Sequence, residues 1–330
     1  MSMAALAGVL VGPSPGPSRL TAGGGPVELA FATGSSRPGL TVEPRPGAGQ
    51  PERWRAVVAA LGAEGLADPR LGDGFVADLA AQPDLRFGMF LGVRGSGPGG
   101  APLRCKLYQE VAGAGRVTVA EALGDRLPPA WRSLRPRLVG TVLAGPVAAR
   151  AAWPGKPERE WYFALEGWDR GSLHRLLAPV GHGRRLPYVL DCLAMLASEP
   201  VGELPQRLRL GISISHRRAG SVPAVTIYAH SQELFASDAE ARIGILGLCR
   251  ELGRPLAGYS GASARLGPGR AGPGPARVHG LVGLEVDGGD GPAVAVGLCP
   301  RLAAGRAGGR RSGGRRPRAR CDHGEGSTYG

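Results

Sequence analysis

Apolar residues recur at every second position in a series of short segments, and the segments come in pairs. Val27, Leu29 and Phe31 alternate with Glu28, Ala30 and Ala32. After the turn-forming stretch 34–39, Leu40 and Val42 alternate with Thr41 and Glu43. A period of two marks a strand with one apolar face, and Gly, Pro and Ser between two such runs mark a hairpin. The pattern returns at 87–93 with 103–108, at 138–143 with 160–165, at 208–215 with 225–228 and at 280–286 with 294–298. Behind the pairs the period lengthens to that of an amphipathic helix. Trp54, Val57, Val58 and Leu61 share one face of 52–61, and Val189, Leu190, Leu193 and Leu196 share one of 187–197. A further long helix is expected at 239–252, and shorter ones at 74–81, 117–123, 130–134 and 172–177.

From Glu43 through Tyr108, Tyr162 and Tyr228 to Leu298 the second strand of each pair recurs roughly every 54 to 70 residues. A supersecondary unit repeated at such spacing is an architectural signature. Five ββαα units supply ten strands, enough to close an antiparallel barrel, leave it no edges and surround it with helices. The fold class expected is therefore α+β, a closed ten-stranded antiparallel barrel with a polar interior. An open α+β sheet, or two α+β domains, is compatible with the same pattern. Residues 1–25, rich in Gly, Pro and Ser, read as a flexible lead-in, 26–302 as a single domain, and 303–330 as a disordered Arg/Gly tail.

Composition alters this picture in two respects. The chain has 330 residues, 43% of them hydrophobic, which is enough to build a core. Its formal net charge of +13 suggests nucleic acid until the charge is located. Residues 303–330 hold seven arginines against Asp322 and Glu325, leaving about +8 on the rest. With aromatics at 5% and no zinc-finger spacing or continuous basic helix, specific nucleic-acid binding is not supported outside the tail. Five widely spaced cysteines without a C-x-x-C imply a reduced, cytoplasmic protein with no structural zinc. The apolar run 4–11 is short and lacks a basic leader, so neither a signal peptide nor a membrane span is expected.

Candidate chemistry centres on 103–108. Arg104, Lys106 and Tyr108 share one strand face, and two cations with a phenol at this spacing suit an anion such as a diphosphate. A half-exposed strand with a solvated face is the plainer account. No Asp-Asp pair occurs, so a magnesium-bridged diphosphate of the DDxxD kind is disfavoured. His174, His182, His216, His230 and His279 are scattered without metal-ligand spacing and read as surface residues. No phosphate loop or serine-nucleophile elbow is present.

The five units and the polar-x-Tyr strands together resemble the aromatic prenyltransferases of the ABBA or PT-barrel fold, in their indole, dimethylallyltryptophan-synthase-like branch. The resemblance spans about residues 26 to 300 and rests on short strand motifs. The family's Lys-x-Tyr of the second hairpin stands here as Lys106-Leu107-Tyr108, and Thr226-Ile227-Tyr228 matches the fourth. Glu28, in Pro26-Val27-Glu28-Leu29, matches the acidic residue that receives the indole N–H. The third hairpin departs: where Arg-x-Lys-x-Tyr is usual, this chain reads Glu158-Arg159-Glu160-Trp161-Tyr162. The first hairpin has Gly39 where an Arg is usual, with Arg37 two residues earlier, and the fifth strand lacks its Tyr. Arg207 and Arg209, expected to face the lumen, are candidates to restore the lost charge.

The resemblance implies a metal-independent transfer of an allylic group, such as dimethylallyl, from its diphosphate to an indole or another aromatic acceptor. Its partners would be an isoprenoid diphosphate and a small aromatic molecule. It implies Glu28 as the catalytic carboxylate and Arg104, Lys106, Tyr108, Tyr162, Thr226, Tyr228 and Arg209 as the diphosphate site, with no cofactor or metal. A barrel that binds a hydrophobic anion without catalysis is the alternative favoured by the acidic third strand. A nucleic-acid-binding protein acting through the tail is another.

Overall fold

The computed structural model describes residues 3–12, 18–21, 24–63, 85–94, 104–111, 128–143, 159–165, 167–215, 222–266, 277–287 and 291–300. The helices expected at 74–81 and 117–123, and the tail 303–330, lie outside the described residues. In chain order the elements are α1 (Met3–Val11), β1 (Val27–Ala32), β2 (Gly39–Val42), α2 (Gln50–Ala63), β3 (Met89–Arg94), β4 (Arg104–Glu110) and α3 (Pro129–Arg132). There follow β5 (Pro136–Leu143), β6 (Arg159–Leu165), α4 (Arg170–Leu177), α5 (Leu186–Ala197), α6 (Leu204–Arg207), β7 (Leu210–Ser215) and β8 (Ala224–His230). α7 (Ser231–Leu234), α8 (Asp238–Glu251), α9 (Tyr259–Leu266), β9 (His279–Val286) and β10 (Ala293–Leu298) complete the order.

Every strand pairs with its sequence neighbours, and β1 also pairs with β10, which closes the barrel. Closure joins Leu29 to Leu298 and Phe31 to Val296 in antiparallel register. The alternation seen in the sequence sorts the side chains onto two faces. On β6, Trp161, Phe163 and Leu165 are buried while Tyr162 and Ala164 are only half-buried. On β8, Val225, Ile227 and Ala229 are buried while Thr226 and Tyr228 are half-buried. The fully buried set faces the helices; the half-buried set faces the barrel interior.

Helices cover the outer face in two groups. Leu173, Leu177, Val189, Leu193, Ile245 and Leu248 belong to one core with the outward residues of β6 to β10. Leu6, Leu10, Val57 and Leu61 form the other with Val42, Leu91 and Leu107. Buried tryptophans find partners for their N–H groups: Trp131 Nε1 donates to the Leu176 carbonyl at 2.7 Å and Trp168 Nε1 to that of Leu208 at 2.7 Å. Helix α4 is held at its start by a capping box, Asp169 accepting from the Ser172 amide at 2.6 Å. Among the described residues no helix is long and apolar enough to cross a membrane.

Three expectations need correction. The segment 1–25 is not merely a loose lead-in, because α1 buries Leu6, Leu10 and Val11 in the second core. Ser18, Arg19 and Leu20 then hydrogen-bond the Glu43 carboxylate, at 2.6, 2.7 and 3.1 Å. Arg207 and Arg209 do not line the lumen: both precede β7, where Arg207 pairs with Glu199 and Arg209, its side chain 91% exposed, lies 3.4 Å from Glu233. His182 and His279 are buried rather than superficial, since each ring meets a partner that satisfies it. His182 Nε2 lies 2.6 Å from the Pro223 carbonyl, and His279 bridges Asp238 at 2.7 Å and the Tyr259 hydroxyl at 2.9 Å.

Candidate functional site in the barrel lumen

Residues directly opposite one another on paired strands share a face, so the register gives the layout of the interior wall. One rung runs Glu28, Thr41, Gly92, Lys106 across β1, β2, β3 and β4. A second runs Leu138, Tyr162, Ser213, Thr226, Glu285 across β5 to β9. A third places Tyr228 between Gly211 and Gly283. Tyr108 lies between Phe90 and Gly140.

Glycine is what lets these long side chains lie along the wall. A Cβ at Gly140 would overlap the end of Lys106, one at Gly211 the ring of Tyr228, and one at Gly297 the carboxylate of Glu28. At Gly92 it would come within 2.9 Å of the Tyr108 ring. Each bulky polar residue therefore rests on a bare stretch of the neighbouring strand.

Lys106, Tyr108, Tyr162 and Tyr228 converge. Lys106 Nζ donates to the Tyr162 hydroxyl at 2.8 Å and lies 5.0 and 5.2 Å from the ring centres of Tyr108 and Tyr162, within reach of a cation–π contact. The rings of Tyr108 and Tyr162 are 5.9 Å apart and those of Tyr162 and Tyr228 6.3 Å, a tilted row crossing the wall. Thr226 stands on the Tyr162 rung, one strand beyond Ser213. Glu28 stands apart from this group, with its carboxylate against Gly297 and Gly280. Its rung leads to Lys106 past only Thr41 and Gly92, three strand spacings or roughly 14 Å along the wall. Arg104 opens β4 in register with Arg94; its side chain lies outside the described residues.

The acid on the third hairpin points inward. Glu160 is ion-paired to Lys106 and accepts a hydrogen bond from Ser213 Oγ at 2.6 Å. The two charged side chains keep 19% and 20% of their surface open, toward an interior walled by protein. Burial alone would discharge both, but each holds the other. For Lys106 the penalty of burial is outweighed by the carboxylate, and its pKa stands above the ordinary lysine value. For Glu160 burial is likewise outweighed by the Lys106 charge and the Ser213 and Tyr162 hydroxyls, and its pKa lies below the usual carboxylate value. Burial and the nearby Glu160 charge push the Tyr162 and Tyr228 phenols up, so both remain protonated donors. Glu28 has no such help, and burial raises its pKa to about 7.

Sequence reasoning passed over Arg94 and Ser213. Arg94 follows Phe90 and Gly92 on the inward face of β3, pairs in register with Gly39, and its charge acts on Lys106. The two-residue alternation that placed Lys106 inward places Arg94 there too. Among the described residues no group of three or more His, Cys, Asp or Glu is arranged to hold a metal ion.

No family model matches the sequence, and no curated protein does either. The similarity lies in the fold. The 5-dimethylallyltryptophan synthase of Streptomyces coelicolor aligns with a TM-score of 0.65 at 18% identity, over 89% of this chain and 89% of that one. The 6-dimethylallyltryptophan synthase of Micromonospora olivasterospora, in complex with DMASPP and Trp, aligns at 0.65 and 21% identity over 89% of this chain and 90% of that one. The prenyltransferase PriB with product diphosphate aligns at 0.62 and 21% over 87% and 83%. The chain has the PT-barrel fold of these aromatic prenyltransferases.

Proposed function

We propose that this protein is an aromatic prenyltransferase, moving an allylic group of the dimethylallyl kind from its diphosphate to an indole or related electron-rich ring without a metal ion. The observation that carries the proposal is the rung on which Glu28 and the Lys106–tyrosine cluster face one lumen across a short-walled gap. Solved structures of the same fold with a prenyl diphosphate analogue and tryptophan support it.

In this reading the allylic C–O bond breaks and its electron pair leaves with the diphosphate. Lys106 and Arg94 offset the charge that develops on the leaving oxygens, and the hydroxyls of Tyr162 and Tyr228 donate to them. Arg104 and Thr226 extend this site on neighbouring rungs. The faces of Tyr108, Tyr162 and Tyr228 shield the allylic cation from water and steady its charge. The aromatic acceptor attacks the cation, a C–C bond forms, and the proton displaced from the ring or its N–H is taken up at Glu28. A carboxyl with a pKa near 7 is well matched to that exchange.

The test is incubation with dimethylallyl diphosphate and tryptophan or simple indoles in excess EDTA, with products read by mass spectrometry. Prenylated acceptor at a rate unchanged by EDTA is expected. No product, together with no saturable diphosphate binding at several prenyl chain lengths, would sink the proposal. One observation favours a second reading, a barrel that binds a hydrophobic anion without transferring a group: Lys106 already holds an anionic partner in Glu160. Saturable binding without product would select it.

A further inference from the structure

The Glu160 carboxylate is placed as an anion bound in a cage. One oxygen is ion-paired to Lys106, the other accepts from Ser213 Oγ at 2.6 Å, and the Tyr162 hydroxyl accepts from the same ammonium at 2.8 Å. A cation and two hydroxyls around one acidic group is the arrangement a phosphate oxygen would meet. Among the described residues the ion-pair and hydrogen-bond partners of Glu160 are these groups of the cage. Its register neighbours on the wall are Gly140, over which the end of Lys106 lies, and the small Ser215. The ion pair also cancels the charge at the centre of the site, since Lys106 and Glu160 together carry none.

We propose that Glu160 is the specificity-determining residue of the cage: its carboxylate occupies the seat of the diphosphate oxygens, and a diphosphate binds only by displacing it from Lys106. The inference rests on the reading of the lumen as a diphosphate site. Diphosphate affinity is then set by a competition within the protein. Removing the Glu160 charge strengthens binding, the opposite of what loss of a binding residue does.

The test uses inorganic pyrophosphate as probe, by calorimetry on the full chain at pH 7.5 and low salt, with the wild type, Glu160→Gln, Glu160→Ser and the double variant Lys106→Met/Glu160→Gln. Glu160→Gln preserves volume and should bind pyrophosphate at least about tenfold more tightly than the wild type. Glu160→Ser, which removes the charge and shortens the side chain, should also gain and keeps the test open should Glu160→Gln fold poorly. The double variant should lose the gain, because Lys106 is the group released. Equal or weaker binding by both single variants would overturn the proposal, as would a gain that survives in the double variant. Product formation from dimethylallyl diphosphate is measured separately. A gain in pyrophosphate affinity in Glu160→Gln, with no product made by the wild type, would keep this inference and overturn the transferase reading.

Discussion

With its carboxylate laid over the glycine backbone of β10 and no hydrogen-bond donor among the described residues, Glu28 is held in a form that is easily protonated, with a pKa raised from 4.5 to about 7. Two consequences differ in sign. If the ionised carboxylate takes up the acceptor's proton, kcat/KM rises with pH and levels off above about 7. On the transferase proposal, the Glu28→Gln protein should be slower by roughly 10²- to 10⁴-fold and lack that inflection, which a pH–rate profile of both proteins would read. Stability runs the other way. Between 4.5 and about 7 the folded protein holds a proton that the unfolded chain releases, so the contribution of Glu28 to stability is full below this window and lost as pH rises through it. At about 1.4 kcal/mol per tenfold change in proton affinity, the loss approaches ~3 kcal/mol. Glu28→Gln should therefore be the more stable protein at pH 8 and gain nothing at pH 4, checked by urea denaturation at both. Equal stability at pH 8 would mean that the carboxylate is better solvated than its surroundings imply.

Among the elements, the glycines opposite the long lumenal side chains decide where those side chains lie. At Gly211 an added methyl would overlap the Tyr228 ring, which has few ways to yield, so Gly211→Ala should cost about 1–3 kcal/mol and displace a member of the tyrosine row. Gly247, in the interior of α8, meets nothing within 4 Å, and there the same change should stabilise by up to about 1 kcal/mol through helix propensity. Denaturation midpoints of the two variants moving in opposite directions would bear this out. The strands were legible because period-two alternation survives in nearly all of them, and because five repeats left closure as the way to bury every edge. On β6 the same alternation puts Glu160 and Tyr162 inward and leaves Trp161 and Phe163 for the helices. What alternation does not carry is which polar groups neutralise one another. Glu160 appeared as a departure from a pattern, and only the register that sets β4, β5 and β6 side by side shows it on Lys106. Arg209 failed for a related reason: it has the right parity but precedes β7, where the chain has not yet entered the wall. His279 was misread because its partners, Asp238 and Tyr259, come from two helices that no local pattern links to β9.

For the molecule as a whole, closure makes the first strands depend on contacts far along the chain, and one carboxylate gathers several of them. Glu43, just past β2, accepts from Ser18, Arg19 and Leu20 ahead of β1 and pairs at 2.8 Å with Arg53 of α2, which also donates to the Met89 carbonyl at the start of β3. Both charged side chains are nearly sealed, 2% and 4% exposed, so neither is screened by water. A pair of this kind adds little net stability over an apolar replacement, but loss of one partner strands the other in a medium that cannot solvate it. Glu43→Ala should accordingly cost about 3–5 kcal/mol. Burial already lowers the pKa of Arg53, and the variant removes the main opposing charge. The same change unties the N-terminal segment, whose helix α1 covers part of the second core. Because β1 is also the closing strand, the damage should appear as a lower midpoint for the whole barrel rather than as fraying of one end. With Trp54, which packs against the second core, replaced by Phe, intrinsic fluorescence follows tryptophans of the other core, such as Trp131, Trp161 and Trp168, and circular dichroism follows the whole backbone. The two should shift together in Glu43→Ala. A shift in one signal without the other would mean that the N-terminal part unfolds as a separate unit and that closure does not couple the two cores.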